Sequence, residues 1–418
     1  MKPRHEKTRL LSAIAFLLIL TLLFPAVEAL GQVPETLVTG LSDTQPITLQ
    51  PIAPTLITGL PDTLPLAAVS KSPESGFREM IAAYVATAYR LDFPKSEAIT
   101  EAALREELST LVQKAARQGI NTLFFQVRPA SDAFYNSSIF PTSRYLVKNE
   151  GDTPPLDVLK TLIELAEPYG IGIYAWINPY RVTSSGESLS SLSATNPARL
   201  HPDWIFEKDG AYYYQPALRE VQTLIAGGVA EIVQNYGVKG ILFDDYFYPE
   251  GMTDEDSACY EAYQREGGAL SLADFRRENV NALIRTCYQT VKAIDENCAF
   301  GASPRGIWRN IREDENGSLT AGGAAYDDIY CDALAWVKEK TVDFLAPQLY
   351  WSYNEKNAPF LTLLLWWENA LRSSDTLLIP SLAAYRLSDA ELSAEIFYLS
   401  TLDLYHGYAL YRMSNLNE

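Results

Sequence analysis

A chain of 418 residues, 47% hydrophobic and 21% charged, has the composition of a globular protein long enough for one large domain with extensions. Its formal net charge of −18 excludes a broad basic face, and with it a nucleic-acid backbone or an anionic membrane surface as partner. With 3 scattered histidines and 4 scattered cysteines the sequence shows neither a zinc cluster nor a disulfide scaffold, and no cofactor motif is present.

The N-terminus is basic over 1–9, uncharged over 10–24, and then offers the small residues around Val27-Glu28-Ala29. That pattern predicts a secretory signal over 1–29 and a protein that is secreted or held at the cell surface. An uncleaved segment of this length would be a membrane tether, the alternative reading. Residues 30–75 turn rich in Pro, Thr and Ser and repeat one short motif, starting at Thr36 and again at Thr55. Two copies make no solenoid, so an extended spacer is expected, with a small packed β-segment as the alternative.

From 76 to 418 the pattern alternates short apolar runs with amphipathic stretches, as in a parallel sheet with crossover helices. Strands are expected at 80–89, 120–127, 171–177, 238–243, 299–303, 342–346, 377–383 and 407–411. Helices are expected between them at 101–118, 156–169, 217–236, 271–297, 328–339, 360–372 and 389–402. Eight such strands predict an α/β fold of the (β/α)8 barrel type, with an open eight-stranded sheet as runner-up. Too few residues follow 411 for an eighth helix, so the barrel is expected to lack it or to replace it with the N-terminal segment.

The long loops all follow strands, on the face where such barrels bind and react. The fourth strand ends in Asp244-Asp245-Tyr246-Phe247-Tyr248-Pro249, two adjacent carboxylates among rings. Like charge and an apolar surround both raise a carboxyl pKa, which an acid catalyst requires. Asp244, in phase with Gly240 and Leu242, is the expected inward residue; Asp245 reaches the same space only if the strand ends or bulges there. A solvated acidic turn is the bland alternative.

Polar residues gather at the other strand ends: Arg128 and Asp132 after the second, Asn178 and Arg181 after the third, Tyr248 after the fourth, and Arg305 after the fifth. Gln348, Tyr350 and Trp351 follow the sixth strand, and Arg412 follows the eighth. Rings stack on sugar faces while guanidinium and amide groups bond hydroxyls, so these residues are expected to bind a polysaccharide around catalytic Asp244 and Asp245. Each also has a purely structural reading as a turn-former or a packing residue. A calcium ion on the two aspartates is an alternative use of the doublet. Strands five to eight end without a carboxylate, which leaves Asp132, Asp92, the neighbouring Asp or the substrate itself as the second catalytic group.

Five blocks in order carry a family resemblance: Gln126-Val127-Arg128-Pro129 with Asp132-Ala133-Phe134-Tyr135; Ala175 to Arg181; Gly240 to Pro249; Ser303 to Asn310; and Ala346 to Trp351. The chain resembles the glycosyl hydrolase-like 10 family of exported bacterial β/α barrels over about 77–412. The resemblance implies a glycosidase acting on cell-envelope polysaccharide, with peptide-free peptidoglycan strands as a candidate substrate. Such strands would offer lactyl carboxylates to arginines and an acetamido group for substrate-assisted attack. Tyr174, Leu242 and Gln215 depart from the family pattern, where His, a polar residue and Asn are usual; the acidic doublet is retained. A non-catalytic glycan-binding barrel is the rival from another functional class.

Overall fold

The computed structural model describes residues 79–97 and 100–416, all within the unit spanning 61–418. The expected signal and spacer lie outside the described residues.

The strands in chain order are β1 (Met80–Val85), β2 (Thr122–Arg128), β3 (Gly172–Ile177), β4 (Ile205–Lys208), β5 (Ala211–Tyr214) and β6 (Gly240–Phe243). They continue with β7 (Ala299–Ala302), β8 (Phe344–Leu345), β9 (Gln348–Leu349), β10 (Leu377–Leu378), β11 (Ser381–Leu382) and β12 (Gly407–Leu410). β4 and β5 form a separate antiparallel hairpin inside the loop after β3, and the other ten segments pair in parallel. Pro347 stands between β8 and β9 and Pro380 between β10 and β11, and a proline has no N–H for the ladder. Each split pair is therefore one stave. β8 pairs with β10, β9 with β11, β11 with β12 and β12 with β1, so the eight staves close into a ring. The open-sheet alternative is thereby removed.

Period-two alternation decides what fills the ring. Met80, Ala82, Tyr84, Phe124, Trp176, Leu242, Phe344, Ile379 and Ala409 pack in its interior, and Tyr174 joins them. Their neighbours in sequence face the helices. Two glycines make room for this aromatic filling: a Cβ on Gly240 would lie 2.4 Å from the Tyr174 ring, and one on Gly301 would lie 2.5 Å from Phe344. Tyr174, the family departure noted above, is thus a packing residue of the barrel floor. Each buried ring of this size contributes roughly 1.5–3 kcal/mol.

Helices Glu101–Arg117, Val158–Ala166, Arg219–Asn235, Leu272–Ile294, Ala333–Glu339, Phe360–Leu371 and Asp389–Ser400 cover the outside. The first shows why they form where the pattern predicts. Thr100 caps Ala103 N–H, and Leu104, Leu108, Leu111, Val112 and Ala115 make one buried stripe. Gly119 then takes φ 71°, which ends the helix.

Beyond β12 the described residues hold a single 3-10 turn, Met413–Asn415, and no eighth helix. β1 is shorter than expected, because Tyr89 and Arg90 take positive φ (53° and 54°) and turn the chain at the mouth. The four cysteines are free, with Cys287, Cys298 and Cys331 buried. No helix among the described residues is long and apolar enough to cross a membrane.

Candidate active site

β6 stops at Phe243, and the chain leaves the ladder just where the doublet begins. Asp244 keeps the inward phase of Leu242 and is only 4% exposed. Trp176, the inward residue near the end of β3, donates its Nε1–H to Asp244 Oδ2 at 3.0 Å, and the Tyr246 backbone N–H reaches Oδ1 at 3.3 Å. Burial, with the charge of Asp245 added, pushes the Asp244 carboxyl up to about 7, although Arg181 and the two donors pull the other way.

Asp245 turns toward a different side of the mouth because the regular strand has ended. Gln348 donates to its Oδ1 at 2.7 Å and Arg305 Nε approaches Oδ2 at 3.4 Å. Both neighbours are donors, which suits a carboxylate acceptor. Gln348 is itself fixed by a 3.0 Å bond to the Ser303 carbonyl, and Arg305 also pairs with Glu250 at 2.6 Å. Beneath the doublet Tyr84 links Ser303 and Ser381 at 2.9 and 2.8 Å, closing the floor.

The loop carrying the doublet is pinned from outside. Asp256 and Arg276 form a buried two-pronged ion pair, with Arg276 Nε 2.8 Å from Asp256 Oδ2. On the other flank Lys208 of β4 pairs with Glu255 at 2.8 Å, tying the hairpin to the same loop.

The structure brings together Asp244, Asp245, Arg181, Arg305, Gln348 and Tyr350 from the expected set. Arg181 lies 4.2 Å from the ring of half-exposed Tyr246 and within electrostatic reach of Asp244. Tyr350 is within reach of Asp245. Arg412 stands at the rim against Asp92 at 3.5 Å, and Trp351 packs half-buried against the outer core.

Four expected residues are placed elsewhere. A register shift in the β2–β3 ladder between Gln126 and Arg128 turns Arg128 outward, where it is fully buried over the Phe140 ring at 3.7 Å. Asp132 is also buried, accepting from Ser143 at 2.6 Å. Asn178 uses its Oδ1 to hold the Arg181 N–H at 3.1 Å, as a turn-former does. Tyr248 is buried between Tyr330 and Arg276, with its hydroxyl bonded to Asn279. The causes are local: a slip of the ladder turns Arg128 away, while Asp132, Asn178 and Tyr248 lie beyond the strand ends and are taken up by loop contacts.

Sequence reading gave no site role to Trp176, Tyr84 or Tyr411, and took Tyr246 only as one of the rings around the doublet. Trp176 was within reach of the alternation rule, since it shares the inward phase of Tyr174 on β3. Among the described residues no cluster of three or more His, Cys, Asp or Glu is placed to hold a metal ion.

A closed β/α barrel with two carboxylates at the carboxyl end of one stave, ringed by guanidinium, amide and aromatic groups, is a barrel of the glycosidase type. The family model for glycosyl hydrolase-like 10 matches residues 79–399, and the chain belongs to that family. It is 35% identical over 316 residues to glycosyl hydrolase YngK of Bacillus subtilis, a match covering 75% of this chain and 62% of that relative. It is 35% identical over 343 residues to glycosyl hydrolase DigH of Escherichia coli K12, covering 77% of each. Among solved structures, the PgaB (BpsB) glycoside hydrolase domain from Bordetella bronchiseptica shares the fold with TM-score 0.52 and 13% identity, over 80% of this chain and 94% of that one. The catalytic domain of β-amylase from Paenibacillus polymyxa does so with TM-score 0.53 and 10% identity, over 81% and 93%.

Proposed function

We propose that the chain is an exported glycosidase that cuts a cell-envelope polysaccharide, with peptide-free peptidoglycan glycan strands as its substrate. The carrying observation is the unequal setting of the doublet. Asp244 is enclosed and holds its proton to about pH 7, while Asp245 is clasped by two donors. Asp244 is then the acid that protonates the leaving oxygen. Asp245 is the second group, either acting on the anomeric carbon directly or orienting a substrate acetamido group for internal attack.

Two features support a carboxylate-bearing sugar chain. Arg181 flanks Asp244 with a guanidinium that lies on Tyr246 and has no carboxylate partner within ion-pair distance among the described residues. An Arg fork suits the lactyl carboxylate of N-acetylmuramic acid. The family relatives named as glycosyl hydrolases support turnover rather than passive binding.

The test is reducing-end release from peptide-free glycan strands by the purified protein. Asp244→Asn and Asp245→Asn should each lower release by about 100-fold or more with an unchanged circular dichroism spectrum. Full activity in both variants would remove the assignment, and binding without release would replace it by a glycan-binding barrel.

A further inference from the structure

We propose that Tyr350, Tyr385 and Tyr411 form a sugar-binding wall across the mouth from the acidic doublet, taking the apolar face of a pyranose ring in the chain being cut. The proposal rests on the glycosidase reading above and adds to it the surface that holds the ring.

The three tyrosines follow β9, β11 and β12, three successive staves on the side of the barrel away from β6. Their rings form one cluster, with centroids 5.4 Å apart for Tyr350–Tyr411, 6.1 Å for Tyr350–Tyr385 and 6.0 Å for Tyr385–Tyr411. Tyr411 also meets Tyr84 of the barrel floor at 5.5 Å, so the cluster runs from the floor outward. At the rim Tyr385 is 48% exposed. The wall faces the chemistry: Tyr350 lies within electrostatic reach of Asp245, and Tyr411 within reach of Asp244.

Packing alone does not account for this arrangement. Tyr350 and Tyr411 have one another and Tyr84 to pack against, but Tyr385 leaves half of a large ring in water at the rim. None of the three hydroxyls has a protein hydrogen-bond partner among the described residues. The wall is also rigid, since Arg386 Nη1 donates to the Tyr350 carbonyl at 3.0 Å and ties two of its loops together. Rigid aromatic surface with free hydroxyls binds at low entropic cost, and a sugar presents both an apolar ring face and hydroxyl partners to it.

The experiment measures the Kd of oligosaccharides from peptide-free glycan strands by calorimetry in the Asp244→Asn background, which binds without turnover. Adding Tyr385→Ala should weaken binding about tenfold. Adding Tyr385→Phe should leave it close to the parent, and Tyr411→Phe should weaken it by a smaller factor through loss of one hydroxyl contact. In the active protein Tyr385→Ala should raise KM for the strands by the same factor while kcat holds. An unchanged Kd in the Tyr385→Ala double variant overturns the wall, as does absence of binding by the parent Asp244→Asn protein. Binding that depends on Tyr385 in a wild-type protein without turnover would leave the wall standing and remove the glycosidase reading instead.

Discussion

The indole of Trp176 holds the carboxyl of Asp244 from inside the barrel, Nε1 to Oδ2 at 3.0 Å, with both side chains buried. Because the N–H donates, it favours the anion, and it leaves Oδ1, met only by the long Tyr246 N–H contact of 3.3 Å, as the oxygen that carries the proton toward a substrate. Activity that needs protonated Asp244 should fall as pH rises through about 7. Trp176→Phe removes the donor, so the folded pKa rises and the alkaline limb of kcat/KM should move to higher pH, with kcat reduced about tenfold. A pH–rate profile of the two proteins checks the shift; a limb that stays in place would show that the indole only fills space.

Gln348 is the shortest contact on Asp245, and its second bond to Ser303 fixes the amide's orientation. Gln348→Leu keeps much of the volume and removes both bonds. We expect kcat to fall about 10- to 100-fold with little change in KM, because the substitution frees the carboxylate rather than a sugar contact. Steady-state kinetics on glycan strands separate the two parameters, and a pure KM effect would make Gln348 a substrate ligand.

Arg128 has no partner for any of its three guanidinium nitrogens, and burial lowers its pKa. An unpaired buried cation is costly, whereas an apolar side chain of similar length is not. Arg128→Met should therefore leave glycan cleavage intact and keep or raise the thermal midpoint. Loss of activity without loss of stability would return Arg128 to the binding set.

Glu395 sits fully buried on the helix Asp389–Ser400 with neither carboxyl oxygen bonded, and burial pushes it up to about 9. The sign follows from proton counts. Between the unfolded carboxyl pKa near 4.3 and about 9 the folded state holds one proton more than the unfolded state, so stability falls by about 1.4 kcal/mol per pH unit as pH rises. Glu395→Gln removes that dependence. It should raise stability at pH 8 by on the order of 1–3 kcal/mol and flatten the plot of Tm against pH between about 5 and 9. Thermal melts across that range test it, and equal slopes in the two proteins would contradict the buried carboxyl.

The strand and helix order was legible along the chain because both periods are local: Leu104, Leu108 and Leu111 repeat at the helical spacing, while Gly240, Leu242 and Asp244 alternate. The doublet itself was legible, since two acids closing an apolar run stand out without any neighbour. What alternation could not show was where the ladder slips. Arg128 reads as a mouth residue by position and lies in the outer core because of one register shift on β2. Tyr248, three residues past the doublet, is buried against Tyr330 by the fold of the loop that carries it.

By itself the sequence determined a barrel of alternating strands and helices and an acidic doublet at the end of the fourth stave, because hydrophobic period and local charge are properties of neighbours along the chain. Only the tertiary structure decided that Asp244 meets Trp176 while Asp245 meets Gln348, and that three tyrosines from the last staves gather in one cluster. Those relations join residues 68 and 103 positions apart, and closure of the ring, by burying Asp244 beside the charge of Asp245, raises the carboxyl that has to hold a proton.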